Sequence, residues 1–420
     1  MKKLLKLKTN LFSRNALFIE IAAKLGKDFI FSDKKENFDK LVSALSNRVE
    51  FLTDELGEIK GSFLKAGQML SLYAGDLLPA DLLKVLEKLQ SETSYLEWKV
   101  ISKNLPSHTL SELKIEEDAF AAASIGQVHR ATGLNGEEMA LKIQYKNVEK
   151  LIDTDLRFIK LLVKAMKVVP KDLKLEEAFE EVKRMLIVEM NYEEEVKNMN
   201  YFRDHLNDDY IIPIVYERYS SKKEICMSYI ESKGLEEELR RKSLEEKVKL
   251  AESFFTLFLK EIFILKRVQS DAHMGNFLIQ DNKWVLLDFG ATKELSEELA
   301  RQYQQLIQAF FEKDINRAID VLKEQEAINF EKSNMIYFYE YCEIVSEPLQ
   351  NLEYDWANSD VATRLMKKID ETTKNISLNH IPFENIFIDR KIVGVFYMLK
   401  KIGVPLNLHK LFYKFSADLA

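Results

Sequence analysis

Cysteine, proline and glycine are all scarce in this chain. Its two cysteines, Cys226 and Cys342, stand far apart in 420 residues. They exclude a disulfide scaffold, form no metal-ligand pattern and suit a reducing compartment. Seven prolines and thirteen glycines argue against a loop-rich or low-complexity chain and for a compact one rich in helix. No apolar run approaches the roughly 18 residues that a spanning helix needs. The nearest candidates, 254–265 and 392–399, are short or broken by Lys and Glu and read as core helices. An excess of positive charge is missing too: the net charge is −7, so nothing global favours nucleic acid. Only residues 1–30 are basic, with seven Lys/Arg against two acids among Leu, Phe and Ile. No long apolar core follows, which argues against a signal peptide. Two readings stand for this stretch: a basic segment lying on an anionic membrane surface, or a solvated helix edge.

What is present is a chain long enough for two or three domains. Residues 36–105 read as helices. From Leu56 the apolar positions Leu56, Ile59, Phe63, Ala66, Leu70, Tyr73 and Leu77 step by threes and fours, a helical stripe. Lys65 and Gln68 sit beside that stripe, three apart and on one side. Gly67 between them costs a helix about 1 kcal/mol relative to Ala, which implies close approach by another segment.

Residues 115–145 change character to a β-hairpin, with strands at 126–132 and 137–145 and a turn at 133–136. The second strand carries Met139-Ala140-Leu141-Lys142, the slot of a phosphate-pairing lysine. Helices follow at 147–168 and 174–206. Either Glu189 or Glu195 could pair with Lys142. Six residues apart, they diverge by about 120° on a straight helix, so two partners or a bend are implied. A β segment runs from Pro213 to about residue 230, with a turn at Lys222-Lys223. There Met227-Ser228-Tyr229-Ile230 occupies the place where a kinase hinge offers backbone groups to adenine, which makes Ser228 and Ile230 candidates. Helices resume at 243–266.

The sharpest signal comes next. Asp271 and Asn276 are five apart, a short hairpin follows, and then comes Asp288-Phe289-Gly290. D-x-x-x-x-N followed by D-F-G is the layout of a phosphotransferase catalytic loop and metal loop. The first Asp orients or deprotonates an attacking hydroxyl; the Asn and the second Asp hold Mg²⁺ against nucleotide phosphates. Ser296 reads as a helix N-cap only six residues after Gly290, and no A-P-E follows. That leaves little room for a peptide platform. Residues 296–420 read as helical to the end, without further strands.

Taken together, the motifs resemble the ABC1/ADCK/UbiB (AarF) family of atypical kinase-like proteins over roughly residues 50–400. Three features carry the resemblance: K-x-G-Q at Lys65-Ala66-Gly67-Gln68, an alanine-rich loop at Ala121-Ala122-Ala123-Ser124, and an E-x-D-like Glu189-Met190-Asn191 ahead of Glu195. The resemblance implies an α+β, protein-kinase-like two-lobed fold. Residues 1–105 would form a helical extension, 106–230 a small β-rich N-lobe with inserted helices, and 231–420 a helical C-lobe. It implies that Lys142 contacts phosphates and pairs with Glu195, and that Glu189 pairs with Lys65. The K-x-G-Q helix, with Lys65, Gln68 and Glu189 as regulatory residues, would block peptide access. Asp271 would be the catalytic carboxylate, Asn276 and Asp288 the magnesium ligands, and Ala121–Ser124 part of the nucleotide site.

ATP or ADP with Mg²⁺ is the expected cofactor set, and a lipid or quinone precursor a further ligand. Action in ubiquinone-type isoprenoid-lipid metabolism would follow, in the cytoplasm or peripherally on a membrane. The chain departs from the family pattern at Gln269-Ser270-Asp271-Ala272 in place of H-x-D-P, at Met274 in place of a second proline, and at Asn191 in place of aspartate. Losing the prolines should loosen the loop. Two alternatives remain. One is a small-molecule kinase of the aminoglycoside/choline type, whose D-x-H-x-G-N resembles Asp271–Asn276. The other is a catalytically weak nucleotide-gated scaffold.

Overall fold

The computed structural model describes residues 2–4, 14–15, 62–73, 94–123, 125–165, 175–206, 209–326, 328–350, 353–375, 377 and 383–419. The chain divides into two compact units, residues 1–196 with 214–229, and residues 197–213 with 230–420.

Unit 1 is built on a four-stranded antiparallel sheet ordered β1-β2-β3-β4, where β1 is Lys114–Ala122, β2 Gly126–Thr132, β3 Glu138–Gln144 and β4 Glu224–Ser228. The β2–β3 hairpin pairs in continuous register from Gly126↔Gln144 to Thr132↔Glu138. Gly126 is required at its open end. A Cβ there would stand 2.5 Å from the Ile143 carbonyl oxygen and 2.9 Å from the Tyr192 hydroxyl. Strand β1 gives no sequence signal because it is an edge strand in which only Ala119 is buried. The β segment expected from Pro213 contracts to β4, preceded by a 3₁₀ turn at Glu217–Tyr219 and a single bridge between Val215 and Met227.

Three helices complete the part of unit 1 that bears on the site: α1 (Ser62–Tyr73), α2 (Val148–Ala165) and α3 (Leu175–Glu189). On α1 the expected stripe is buried at Phe63, Ala66 and Leu70; Leu56, Ile59 and Leu77 lie outside the described residues. Ser62, at the start of α1, donates to Asp155 of α2, which also accepts Arg14 Nη2 at 2.8 Å and has Arg14 Nε 2.7 Å from its other oxygen. Burial pushes the Asp155 carboxyl up to about 6 against the opposing pull of Arg14 and Ser62.

Within residues 36–105, read throughout as helix, Ser94–Leu96 is instead a strand. It is docked onto β2 by one side chain. The Gln127 amide accepts from Leu96 N–H at 2.7 Å and donates to Leu96 O at 3.0 Å. The same amide nitrogen lies 2.8 Å from His129 Nε2, while His129 Nδ1 donates to Glu116 O at 2.7 Å. His129 is fully buried and burial lowers its pKa. A proton on Nε2 would face an amide N–H rather than an acceptor. Since the folded value lies below the unfolded one of about 6.5, the unfolded chain binds the extra proton, and this contribution to stability is lost as pH falls below that value. Replacing His129 by Asn should therefore flatten the acid side of the melting temperature against pH. Melting curves of both proteins across neutral to mildly acidic pH check this; parallel curves would refute it.

Unit 2 contains α4's later residues, α4 being Tyr192–His205, and the long helix α5 (Leu244–Lys260), opened by a capping box between Ser243 and Glu246. Buried Phe254 meets Phe277 and Trp284 edge-on at 5.1 and 5.0 Å, and the Trp284 indole donates to Leu250 O at 2.8 Å. Pairs of this kind contribute about 0.5–1.5 kcal/mol each beyond area burial. They seat the hairpin that carries the D-F-G sequence. Helix α5 ends in a π-helical turn at Glu261–Leu265. The C-terminal region is helical as expected, including α6 (Phe383–Ile402). Among the described residues, a two-residue antiparallel pair between Tyr354–Asp355 and Pro405–Leu406 departs from this, too short to leave a periodic trace.

Candidate active site

In unit 1, Lys142 lies on β3 with only 8% of its surface exposed. Its Nζ donates to both carboxylate oxygens of Glu195, at 2.7 and 2.9 Å, and stands 4.9 Å from the centre of the Tyr192 ring. Glu189 pairs instead with Lys65 of α1. One straight helix cannot aim both glutamates, and the helix is in fact interrupted. α3 ends at Glu189 and α4 starts at Tyr192. Asn191 fills the break, its side-chain oxygen accepting from Glu193 N–H at 3.2 Å. Asparagine at this position thus has a local use, opening a helix. Gln144 fixes the break from β3 by donating to Met190 O at 2.8 Å. The Gln68 side chain lies outside the described residues.

Of the alanine-rich stretch, Ala121 and Ala122 belong to the end of β1, paired with Val128 and Gln127. Ala123 N–H closes the turn on Gly126 O at 2.9 Å. All three alanines are half-buried. Ser124 lies outside the described residues. At the hinge position, Ser228 is held by Ile214: its N–H donates to Ile214 O at 2.8 Å and its hydroxyl accepts Ile214 N–H at 3.0 Å. The chain passes from unit 1 to unit 2 between Tyr229 and Ile230, and Ile230 is half-buried.

In unit 2, the loop Asp271–Asn276 runs between β5 (Arg267–Gln269) and β6 (Phe277–Gln280). β6 pairs with β7 (Lys283–Leu286) in a hairpin whose register ends at Phe277↔Leu286, and Leu287 N–H then donates to Asn276 O at 3.0 Å. The ribbon therefore delivers Asn276 and the start of the D-F-G sequence to the same end. Asn276 Nδ2 donates to Asp271 O and Oδ2 at 3.0 and 3.2 Å, which turns its carboxamide oxygen outward from that contact. Asp288 Oδ1 accepts Gly290 N–H at 2.9 Å. Carboxamide and carboxylate oxygens are the hard donors that magnesium takes, so these residues fit the ion that the motif implies. Phe289 is fully buried against Phe202 at 5.0 Å, and Asn198 donates to its carbonyl at 3.4 Å.

Gln269, which stands where the family pattern has histidine, staples the two loops. Its Nε2 donates to Asp288 O at 2.9 Å and to Asp271 O at 3.2 Å. The loop is also held from behind. Lys391 of α6 donates to Gln269 O at 3.0 Å and pairs with Glu261 of the π turn at 2.8 Å. Both of those side chains are buried to 1% exposure or less, and burial raises the Glu261 carboxyl while Lys391 opposes it. Ala272 is buried against Gly394. The loosening expected from the missing prolines is thus countered by tertiary contacts. The segment after Gly290 forms a strand, β8 (Thr292–Glu294), paired antiparallel with β5 from Thr292↔Gln269 to Glu294↔Arg267. Ser296 caps the next helix by accepting Leu299 N–H.

Arg390, Lys391, Glu261 and Gly394 escaped the sequence reading. Among the described residues no cluster of three or more His, Cys, Asp or Glu could hold a metal ion, and both cysteines are free and buried. Among those residues, too, no helix is long and apolar enough to cross a membrane.

Residues 88–322 match the model of the ABC1 atypical kinase-like domain. Atypical kinase COQ8, mitochondrial, from Saccharomyces cerevisiae is 27% identical over 410 residues, covering 94% of this chain and 81% of that protein. Atypical kinase COQ8B, mitochondrial, from Danio rerio is 28% identical over 427 residues, covering 95% and 67%. The solved complex of Rv3197 with erythromycin from Mycobacterium tuberculosis superposes with a TM-score of 0.59 at 21% identity, over 89% of this chain and 97% of that one, and shows a shared fold. The chain has a kinase-like fold and belongs to the ABC1 atypical kinase-like family, a phosphotransferase-type enzyme.

Proposed function

We propose that this enzyme is a UbiB-type atypical kinase or ATPase that takes ATP or ADP with Mg²⁺ and acts in ubiquinone-type isoprenoid-lipid metabolism rather than on proteins. Lys142, oriented by Glu195, would bind the phosphates; Ala121, Ala122, Ala123 and Ser124 would border the nucleotide, and Ser228 and Ile230 would meet its base. Asn276 and Asp288 would hold the metal. Magnesium, when bound, supplies positive charge that offsets charge developing on the phosphates. Asp271 would orient the acceptor hydroxyl and take its proton. Lys65, Gln68 and Glu189 would regulate the site. A lipid or quinone precursor is the proposed acceptor-side ligand. A peripheral membrane location through the basic N-terminus belongs to the same reading, although residues 5–13 and 16–30 lie outside the described ones.

The observation that supports this most directly is the helix cap at Ser296, only six residues after Gly290, which leaves little chain for the peptide-holding segment of a protein kinase. The Lys65–Glu189 pair adds a contact that a small-molecule kinase of the aminoglycoside/choline type has no evident use for. Mass spectrometry of nucleotide and lipid co-purifying with the protein, together with ADP release from Mg·ATP, tests the reading. Asp288→Asn should remove the magnesium-dependent part of nucleotide binding. Stabilisation by Mg·ATP without any ADP, with or without phenol-like headgroup mimics and detergent, would favour the scaffold instead.

A further inference from the structure

Helix α6 lies beyond the residues matched by the family model, yet it meets the loop around Asp271 at three points. Arg390 Nη2 donates to Asp271 Oδ1 at 2.8 Å. Lys391 donates to Gln269 O. At Gly394 an added Cβ would stand 2.4 Å from the Ala272 Cβ, so the helix backbone rests directly on the residue after the catalytic carboxylate. Positions 390, 391 and 394 fall on one face of a helix.

The two cations on this face differ. Lys391 is buried, with its charge paired to Glu261 and a second hydrogen bond to Gln269 O, as a purely structural ion pair would be. Arg390 is 36% exposed, and Asp271 is 25% exposed. A guanidinium has five N–H donors in a planar fork, and the hydrogen bond to Asp271 uses one of them. Among the described residues no other hydrogen bond takes the remaining donors, and the side chain as a whole is partly exposed. The loop itself brings no permanent cation: from Asp271 to Asn276 it contains neither Lys nor Arg, and the His273 ring accepts Gly275 N–H at 3.1 Å. Asp271 Oδ2 is already taken by Asn276. Phosphoryl transfer is catalysed mainly by positioning and by charge placed in advance around the migrating group, and guanidinium forks match phosphate oxygens.

We propose that Arg390 is a further active-site residue, holding Asp271 through Oδ1 and offering its remaining donors to the phosphoryl group in transit. The inference rests on the assignment of Asp271 made above. In the step it serves, the acceptor oxygen forms a bond to the γ-phosphorus as the bond from that phosphorus to the ADP oxygen breaks. The acceptor's proton goes to Asp271, and Arg390 exchanges neither proton nor bond. Water is the acceptor when the outcome is ATP hydrolysis.

The test uses the full chain with Mg·ATP and Mg·ADP as probes. Arg390→Gln should weaken Mg·ATP binding about ten-fold, the scale of a lost charged hydrogen bond, while Mg·ADP binding is unchanged. ADP release should fall about 10²–10³-fold, and Arg390→Lys should recover part of both. Should the Gln variant fail to fold, the Lys variant carries the test through its ratio of ATP to ADP affinity. Lower melting temperatures with that ratio and the turnover unchanged would mark a structural pair and overturn the proposal. Asp288→Asn, measured alongside, separates the two levels. If it loses magnesium dependence while Arg390→Gln behaves as wild type, only the role of Arg390 falls. If it keeps magnesium-dependent binding, the site assignment falls and this inference with it.

Discussion

Replacing Lys391 by Met should lower the unfolding free energy by about 3–5 kcal/mol, the range for removing one partner of a buried ion pair. Glu261 would then be left fully buried without its counter-charge, and the Gln269 carbonyl would lose a donor. Burial already raises the Glu261 carboxyl in the folded chain, and losing Lys391 raises it further. The native variant then binds a proton that the unfolded chain releases, so its stability improves as pH falls and worsens as pH rises through that window. Denaturant unfolding at neutral and acidic pH measures both effects. The double variant Lys391→Met with Glu261→Leu removes both charges together and should recover much of the loss. A single variant as stable as wild type, or a double variant worse than the single, would show that the pair does not carry the loop.

Lys142→Met should reduce turnover of Mg·ATP about 10²–10³-fold, the scale for removing one preorganised charge from a reacting phosphate. Here the structural side effect has to be separated. Glu195 is 3% exposed and would be left without this partner, so some melting temperature is lost as well. Glu195→Gln keeps a side chain of the same shape and removes the charge. If Lys142 acts on phosphate, its loss weakens nucleotide binding more than Glu195→Gln does. Equal losses in the two variants would indicate a pair that serves the fold and not the ligand. Isothermal titration with Mg·ATP reads the difference directly.

The parts of the candidate site that stand out in the sequence are those set by short-range spacing. Asp271, Asn276 and Asp288 announce themselves because a loop, a hairpin and a second loop need fixed lengths. Lys142 does so because its strand is a regular apolar run closed by a glycine turn. Helical geometry left two partners or a bend open for Glu189 and Glu195; the family resemblance assigned them to Lys65 and Lys142, and the break at Asn191 took the structure to see.

What was missed is long-range. Arg390 and Lys391 sit 119 and 122 residues from the groups they hold, Asp271 and Gln269. Charged residues on an amphipathic helix look alike whether they face solvent or a buried partner. Glu261 was hidden for the same reason inside an apolar stretch. Gln269 read as a loss because spacing cannot say that an amide will span two carbonyls. Strand β1 stayed invisible because an exposed edge rich in acids shows no alternation.

The close seat of Gly394 on Ala272 has a consequence for how such a chain can change over time. The methyl group on one side fills the space that a side chain on the other would need. A proline placed at position 272 would bring two more ring carbons to a loop already crossed by a helix backbone. The two positions are therefore coupled in size: a side chain gained at 394 requires the methyl at 272 to give way.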